Sequence, residues 1–235
     1  MLDFGFYNMD CMQGMKNIES NSVDLCVTDP PYKIVSGGAT GHKTFLSSVP
    51  IDVVKSGKLF KYNEIQFNEW IPEIYRILKD GSHCYLMTNG RNIKDIWIEA
   101  EKAGFKFQNI LVWKKNNATP NKYYMNCIEF ILVFRKGKAK TINEPGTKNL
   151  IEINNVVNKL HPTQKPVDLM SIFIINSSNK NEIIIDPFAG SGSTLVAAQK
   201  LKRRYIGYEI DKKYFDIARK RLDRTDTQMD IYDFL

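Results

Sequence analysis

Apolar residues recur along this chain in two alternating rhythms. Short β-rich runs occupy Val23–Thr28, Cys84–Met87, Phe107–Trp113, Ile128–Phe134, Ile183–Asp186 and Tyr205–Glu209, with a weaker one at Phe6–Met9. Apolar positions spaced by three and four predict helices over Phe67–Leu78, Ile93–Ala103, Val167–Ser177, Thr194–Leu201 and Lys212–Leu222. Strand and helix in alternation predict an α/β fold, with a mostly parallel, doubly wound sheet. No helix separates Phe107–Trp113 from Ile128–Phe134, so those two strands are expected to pair antiparallel. There is no internal repeat and no sign of a second domain. Two stretches read as long loops: Lys33 to Tyr62, rich in Gly, Ser and Thr, and the polar, basic, Asn-rich Gly137 to Leu160. Loops of that length inside a compact domain are often lids or binding loops.

Composition narrows the class without naming it. The 235 residues are 43% hydrophobic and 25% charged, an ordinary globular balance that excludes disordered and collagen-like chains. No run of 18 apolar residues exists, so no transmembrane helix is expected. Met1 to Asp10 carries two acids and no apolar core, which argues against a secretory signal. Cys11, Cys26, Cys84 and Cys127 are scattered, which fits a reducing cytoplasm and gives no metal signature.

The net charge of +7 matters for its distribution. Between Lys114 and Lys148 stand eight basic residues, among them Lys114, Lys115, Lys122, Arg135, Lys136, Lys138 and Lys140, against only Glu129 and Glu144. Trp113, Tyr123, Tyr124, Phe130 and Phe134 are interleaved. Cations for phosphates and flat rings for bases are what a nucleic-acid surface needs. A solvated loop between two strands accounts for such a run equally simply.

Three clusters carry chemistry. Thr28-Asp29-Pro30-Pro31-Tyr32 follows an apolar strand directly, and ligands of α/β sheets meet the carboxyl ends of strands. Two prolines stiffen the turn and remove two N–H donors, so Asp29 and the Pro30 carbonyl form a pair of acceptors suited to an NH2 group. Tyr32 offers a face for a planar ring. The second cluster runs from the strand Ile183–Asp186 through Pro187-Phe188-Ala189-Gly190-Ser191-Gly192-Ser193-Thr194 into a helix, a cradle for a nucleotide-like cofactor. Ser193 stands where a P-loop needs lysine, and Leu195 where a dinucleotide fingerprint needs its third glycine. Glu209, 17 residues past Gly192, is placed to hold ribose hydroxyls. A ribose-binding acid beside a poor phosphate site suits S-adenosylmethionine. The third cluster, His161-Pro162-Thr163-Gln164-Lys165-Pro166, leads into a helix, with Pro166 suited to its first turn. Thr163, Gln164 and Lys165 are suited to a carboxylate such as that of a methionine moiety.

Together the three motifs resemble the signature set of amino-group DNA methyltransferases. Their order, catalytic motif before glycine motif, resembles the β class, and the likeness runs from about Phe6 to Leu222. It implies a circularly permuted, Rossmann-like methyltransferase fold: one domain over 1–235, with a mostly parallel seven-stranded sheet and one antiparallel strand. It implies S-adenosylmethionine as cofactor and double-stranded DNA as partner, with neither metal nor membrane. Asp10 and Cys11 stand where the family contacts adenine of the cofactor, and Tyr208-Glu209-Ile210-Asp211 resembles its ribose-binding step. With them, Asp29, His161, Thr163, Gln164, Lys165, Asp186, Phe188, Ala189, Gly190, Ser191, Gly192 and Thr194 make up the expected cofactor site. Asp29, Pro30, Pro31 and Tyr32 make up the catalytic one. Target recognition is expected from a short segment, 136–160, helped by the 33–62 loop. The implied reaction is methylation of adenine N6 by base flipping and direct in-line transfer. Cytosine N4 is the near alternative, and a non-catalytic DNA-binding subunit the distant one. A homodimer and a cognate restriction enzyme stay open.

Overall fold

The computed structural model describes residues 4–31, 64–119, 123–138, 140–157, 160 and 164–232. Tyr32, Lys122, His161, Thr163 and the Lys33 to Tyr62 loop lie outside the described residues. The described strands are β1 (Gly5–Tyr7), β2 (Val23–Thr28), β3 (Leu78–Thr88), β4 (Lys106–Thr119), β5 (Asn126–Arg135), β6 (Leu150–Glu152), β7 (Ile183–Asp186) and β8 (Arg204–Tyr208). The helices are α1 (Cys11–Met15), α2 (Phe67–Ile77), α3 (Ile93–Ala103), α4 (Val167–Ser177), α5 (Ser193–Lys200) and α6 (Lys212–Tyr232).

One sheet runs β1-β8-β7-β2-β3-β5-β4-β6. Only β5 opposes the rest: it pairs antiparallel with both β3 and β4, while the other pairings are parallel. The expected single antiparallel strand is therefore present. The expected count of seven is corrected to eight among the described residues. The addition is β6, three residues on the edge beside β4, too short to show an alternating pattern. Helix α6 also extends past Leu222, where the predicted helix ends because Asp223 to Asp226 is polar and carries no apolar rhythm.

Alternation along the central strands divides the core into two layers. Val23, Cys26, Cys84, Leu86, Leu132 and Phe134 face α1 to α3, packing with Trp70, Ile71, Ile74 and Ile96. Leu25, Val27, Tyr85, Met87, Ile131 and Val133 face the other way, onto Leu169, Phe173, Ala197 and Ala198 of α4 and α5. A strand covered on both faces must be apolar throughout, which is why β2 and β7 read as near-continuous runs. α6 closes the second face over Phe6, Leu195 and Val196 through Ala218 and Leu222. The strand order turns about the β2–β7 pair, so the loops leaving both strands open into the same crevice.

Candidate active site

Asp29 follows β2 directly, and its carboxylate is gripped from one side. Lys165, just before α4, donates from Nζ to Asp29 Oδ2 at 2.6 Å. The other oxygen, Oδ1, is buried and has no hydrogen-bond partner among the described residues. Burial lifts the Asp29 carboxyl above its ordinary range; Lys165 opposes that lift and Glu129 adds to it. Pro30 is buried beside it and has no N–H to offer the open oxygen. An acceptor left unpaired in a dry place is costly unless a ligand supplies the donor.

The turn after β7 is held by its own carboxylates. Asp186 Oδ1 accepts from Thr28 Oγ1 at 2.7 Å and from the Phe188 N–H at 3.1 Å, linking the tips of β7 and β2. Burial pushes Asp186 up to about 6, against hydrogen bonds from Thr28, Thr194 and Phe188. Glu209, at the end of β8, accepts from the Gly190 N–H at 2.8 Å and from the Asp211 N–H at 2.8 Å. Its two oxygens are thereby fixed between two strand tips, though burial still raises its affinity for a proton. Gly192 sits at φ +79, where a Cβ would lie 2.9 Å from that of Ala218. Any side chain there would be strained and would push α5 and α6 apart. Arg221 of α6 ties down the Ser191 carbonyl, and Ser193 Oγ donates to the Lys165 carbonyl at 2.8 Å. The glycine turn and the Gln164-Lys165 segment are thus joined.

This donor set fits a nucleoside with a cationic sulfur. The carboxylates Asp29, Asp186 and Glu209 stand at the ends of β2, β7 and β8, and the glycine turn itself carries no lysine to grip a pyrophosphate. Asp10 caps α1 through Oδ1, accepting from the N–H groups of Met12 and Gln13 at 2.8 and 3.2 Å, one strand from Glu209. Ile210 is partly exposed beside Glu209, whereas Phe188 packs edge-on against Trp70 at 5.2 Å. Cys11 is buried in the core, and burial pushes its thiol up to about 12, so the side chain is an uncharged packing group.

One expected role changes, that of Lys136. Lys165, read as a partner for the methionine carboxylate, contacts Asp29 and, at 3.2 Å, Glu129 Oε2. Gln164 Oε1 accepts from the Leu160 N–H at 2.8 Å. Lys136, read as a DNA contact, is buried: its Nζ donates to Asn21 Oδ1 and to the carbonyls of Tyr75 and Leu78, each at 2.7 Å. It satisfies the carbonyl end of α2, where a cation is favoured by the helix dipole.

The basic segment is also split in space. β5 enters the sheet at the edge where β2 ends and leaves at the opposite edge, because it runs antiparallel. Arg135 pairs with His83, midway along β3, and with Lys106, the first residue of β4. Lys140 lies close to His83, and Arg135 donates to the Gly137 carbonyl. Arg135, Lys138 and Lys140 therefore lie away from Asp29. Lys114 and Lys115 stay on its side, paired with Glu152 at 2.9 Å and with Glu129 at 3.1 Å. Glu129 is the site residue the sequence reading passed over. Its signal was an acid inside an apolar strand otherwise surrounded by lysines.

Comparison with known proteins agrees with this geometry. A DNA methylase family model, for N6 and N4 methyltransferases, matches residues 23–220. The Type II methyltransferase M2.MboI of Moraxella bovis is 30% identical, over 93% of this chain and 87% of its own. M2.DpnII of Streptococcus pneumoniae is 31% identical, over 91% and 87%. The crystal structure of the M1.HpyAVI–SAM complex superposes with a TM-score of 0.69 at 28% identity, covering 92% of this chain and 98% of that one. The chain belongs to the N6/N4 DNA methylase family and is an S-adenosylmethionine-dependent DNA methyltransferase.

Proposed function

We propose that the chain methylates the N6 amino group of adenine in double-stranded DNA, with Asp29 as the acceptor that orients the amine. The observation that carries this reading is the buried, unpartnered Oδ1 of Asp29 at the tip of β2. An exocyclic amine is a poor nucleophile because its lone pair is delocalised into the ring. N–H bonds accepted by Asp29 Oδ1 and by the Pro30 carbonyl localise that pair on nitrogen. When bound, S-adenosylmethionine supplies an electrophilic methyl on a sulfonium, whose S–C electron pair stays with sulfur as a neutral thioether. The residues around Asp186, Gly190 and Glu209 hold the nucleoside end and exclude phosphate-bearing competitors. Holding nucleophile and methyl in line takes on the order of 7–11 kcal/mol off the barrier.

The target base must leave the duplex, at about a few kcal/mol, to reach a carboxylate set in a crevice. Tyr32 is the ring proposed to stack on it. Lys114 and Lys122 are the cations assigned to DNA phosphates, with the exposed Tyr123 and Tyr124 as rings beside them, while Lys115 is held by Glu129. The 136–160 segment, chiefly the part that follows β6, and the 33–62 loop are the segments assigned to reading the sequence. A cytoplasmic setting and a cognate endonuclease accord with this reading. The test is transfer from methyl-labelled cofactor to unmethylated duplex DNA, followed by nucleoside separation. N6-methyladenine is expected. N4-methylcytosine would overturn the choice of base, and unlabelled DNA the reading as a whole.

A further inference from the structure

Four charged side chains form one alternating chain along the catalytic edge: Asp29 after β2, Lys165 before α4, Glu129 on β5 and Lys115 on β4. Consecutive members approach to 2.6, 3.2 and 3.1 Å. Surface ion pairs contribute little, but the four side chains here are only 21, 8, 20 and 15% exposed, respectively. A buried cation between two anions is a demanding arrangement, and removing one member leaves another uncompensated. Both flanking acids also keep a buried oxygen without a hydrogen bond among the described residues, Asp29 Oδ1 and Glu129 Oε2. Lys165 lies closer to Asp29, at 2.6 Å, than to Glu129, at 3.2 Å.

Resting on the reading of Asp29 as the amine acceptor, we propose that Glu129, acting through Lys165, is a positioning residue for Asp29. With Asp29 alone opposite it, Lys165 would form a closed pair and quench the carboxylate. Glu129 on the far side shares the ammonium, and Lys115 in turn balances Glu129. Asp29 is then held by one oxygen while the other keeps its affinity for a proton. That matters late in the reaction. As the new N–C bond forms, the nitrogen becomes cationic and one N–H bond breaks. Its electron pair stays on nitrogen, and the proton passes to Asp29 Oδ1 and then to water. Through this change Glu129 keeps the Lys165 charge compensated. The charged groups facing Asp29 among the described residues are Lys165, Glu129 and, from β7, Asp186.

The test compares Glu129→Gln and Lys165→Gln with the wild-type enzyme in methyl transfer across pH 5 to 9. Removing the negative charge of Glu129 makes Asp29 easier to ionise, so the acid limb of kcat moves to lower pH. Its weaker basicity lowers kcat on the plateau by roughly tenfold or more. Removing the cation of Lys165 moves the acid limb the other way, to higher pH. Cofactor affinity, read by calorimetric titration, stays near wild type in Glu129→Gln. A merely structural role would lower the melting temperature without moving the limb. Limbs that stay in place, or move in the same direction, overturn the proposal, as does a Glu129→Gln enzyme with wild-type kcat. Should Glu129→Gln not fold, Glu129→Asp, which draws the negative charge back from Lys165, takes its place: an unmoved limb overturns the proposal and a shift away from the wild-type limb with lower kcat supports it. N6-methyladenine made by the wild type in the same assay reports separately on the proposed function.

Discussion

Asp29 and Asp186 sit at the ends of adjacent strands, yet their surroundings assign them different work. Asp29 meets a lysine and keeps one oxygen open; Asp186 is closed around two hydroxyls and an amide. Asp29→Ala is therefore expected to lower methyl transfer by on the order of 10³-fold while cofactor binding remains measurable. Wild-type turnover by that variant would remove Asp29 from the chemistry. Asp186 makes a prediction about stability. Its carboxyl is raised to about 6 from 3.8, so the folded state binds the proton more readily than the unfolded one. The ionised form is thus penalised above about pH 6, and stability is recovered as pH falls from about 6 towards 4. Asp186→Asn cannot ionise and still offers an oxygen to Thr28 and Phe188. It is expected to gain about 1–3 kcal/mol at pH 8, a gain that vanishes towards pH 4. Urea midpoints at several pH values check this, and a gain independent of pH would refute it.

At the scale of elements, the β4–β5 pair decides what each lysine does. Lys114 projects at the catalytic edge in an exposed pair with Glu152, whereas Lys136, one residue beyond β5, is drawn under the end of α2. The two lysines look alike in sequence and should behave oppositely. Lys136→Ala leaves the Tyr75 and Leu78 carbonyls and Asn21 without their donor. It is expected to cost about 2–4 kcal/mol of stability and to leave DNA affinity of the folded protein unchanged. Lys114→Ala is expected to change stability by less than about 0.5 kcal/mol, while weakening DNA binding and reducing its salt slope by about one. Urea unfolding and fluorescence anisotropy at several salt concentrations separate the two.

Over the whole molecule, the direction of β5 sorts the basic charge into two populations. From Glu129 to Arg135 the strand advances six residues, about 20 Å. That is beyond a Debye length of roughly 8–10 Å at physiological salt, so the cations at the far edge contribute little to DNA held at the near one. Lys138→Ala combined with Lys140→Ala is accordingly expected to change DNA affinity by less than about twofold, far below what loss of phosphate contacts produces. A large loss would place DNA across the far edge as well. The 136–160 segment follows the same geometry. It starts at the far edge, where Asn143 holds the end of α4, and reaches the near edge as β6, whose Glu152 lies opposite Lys114, before Asn155 meets Asn116.

The sequence by itself determined the elements and the residues that stand at their ends. Val23–Thr28, Ile183–Asp186 and Val167–Ser177 fall where their apolar rhythm puts them, because burial on both faces of a sheet demands a local pattern that is legible locally. Asp29, the glycine turn and Glu209 were legible for a related reason: a parallel sheet delivers the residue after each strand to one edge. Partnership was decided only by the tertiary structure. Lys165 and Asp29 are 136 positions apart, Lys136 and Tyr75 are 61 apart, and no spacing announces either contact. Nor does composition reveal that Arg135 and Lys115, in one basic run, end on opposite edges. Side-chain charge is written into the chain residue by residue, but its counter-charge and its distance from the site are set by strand direction and layer packing, which exist only once the chain has folded.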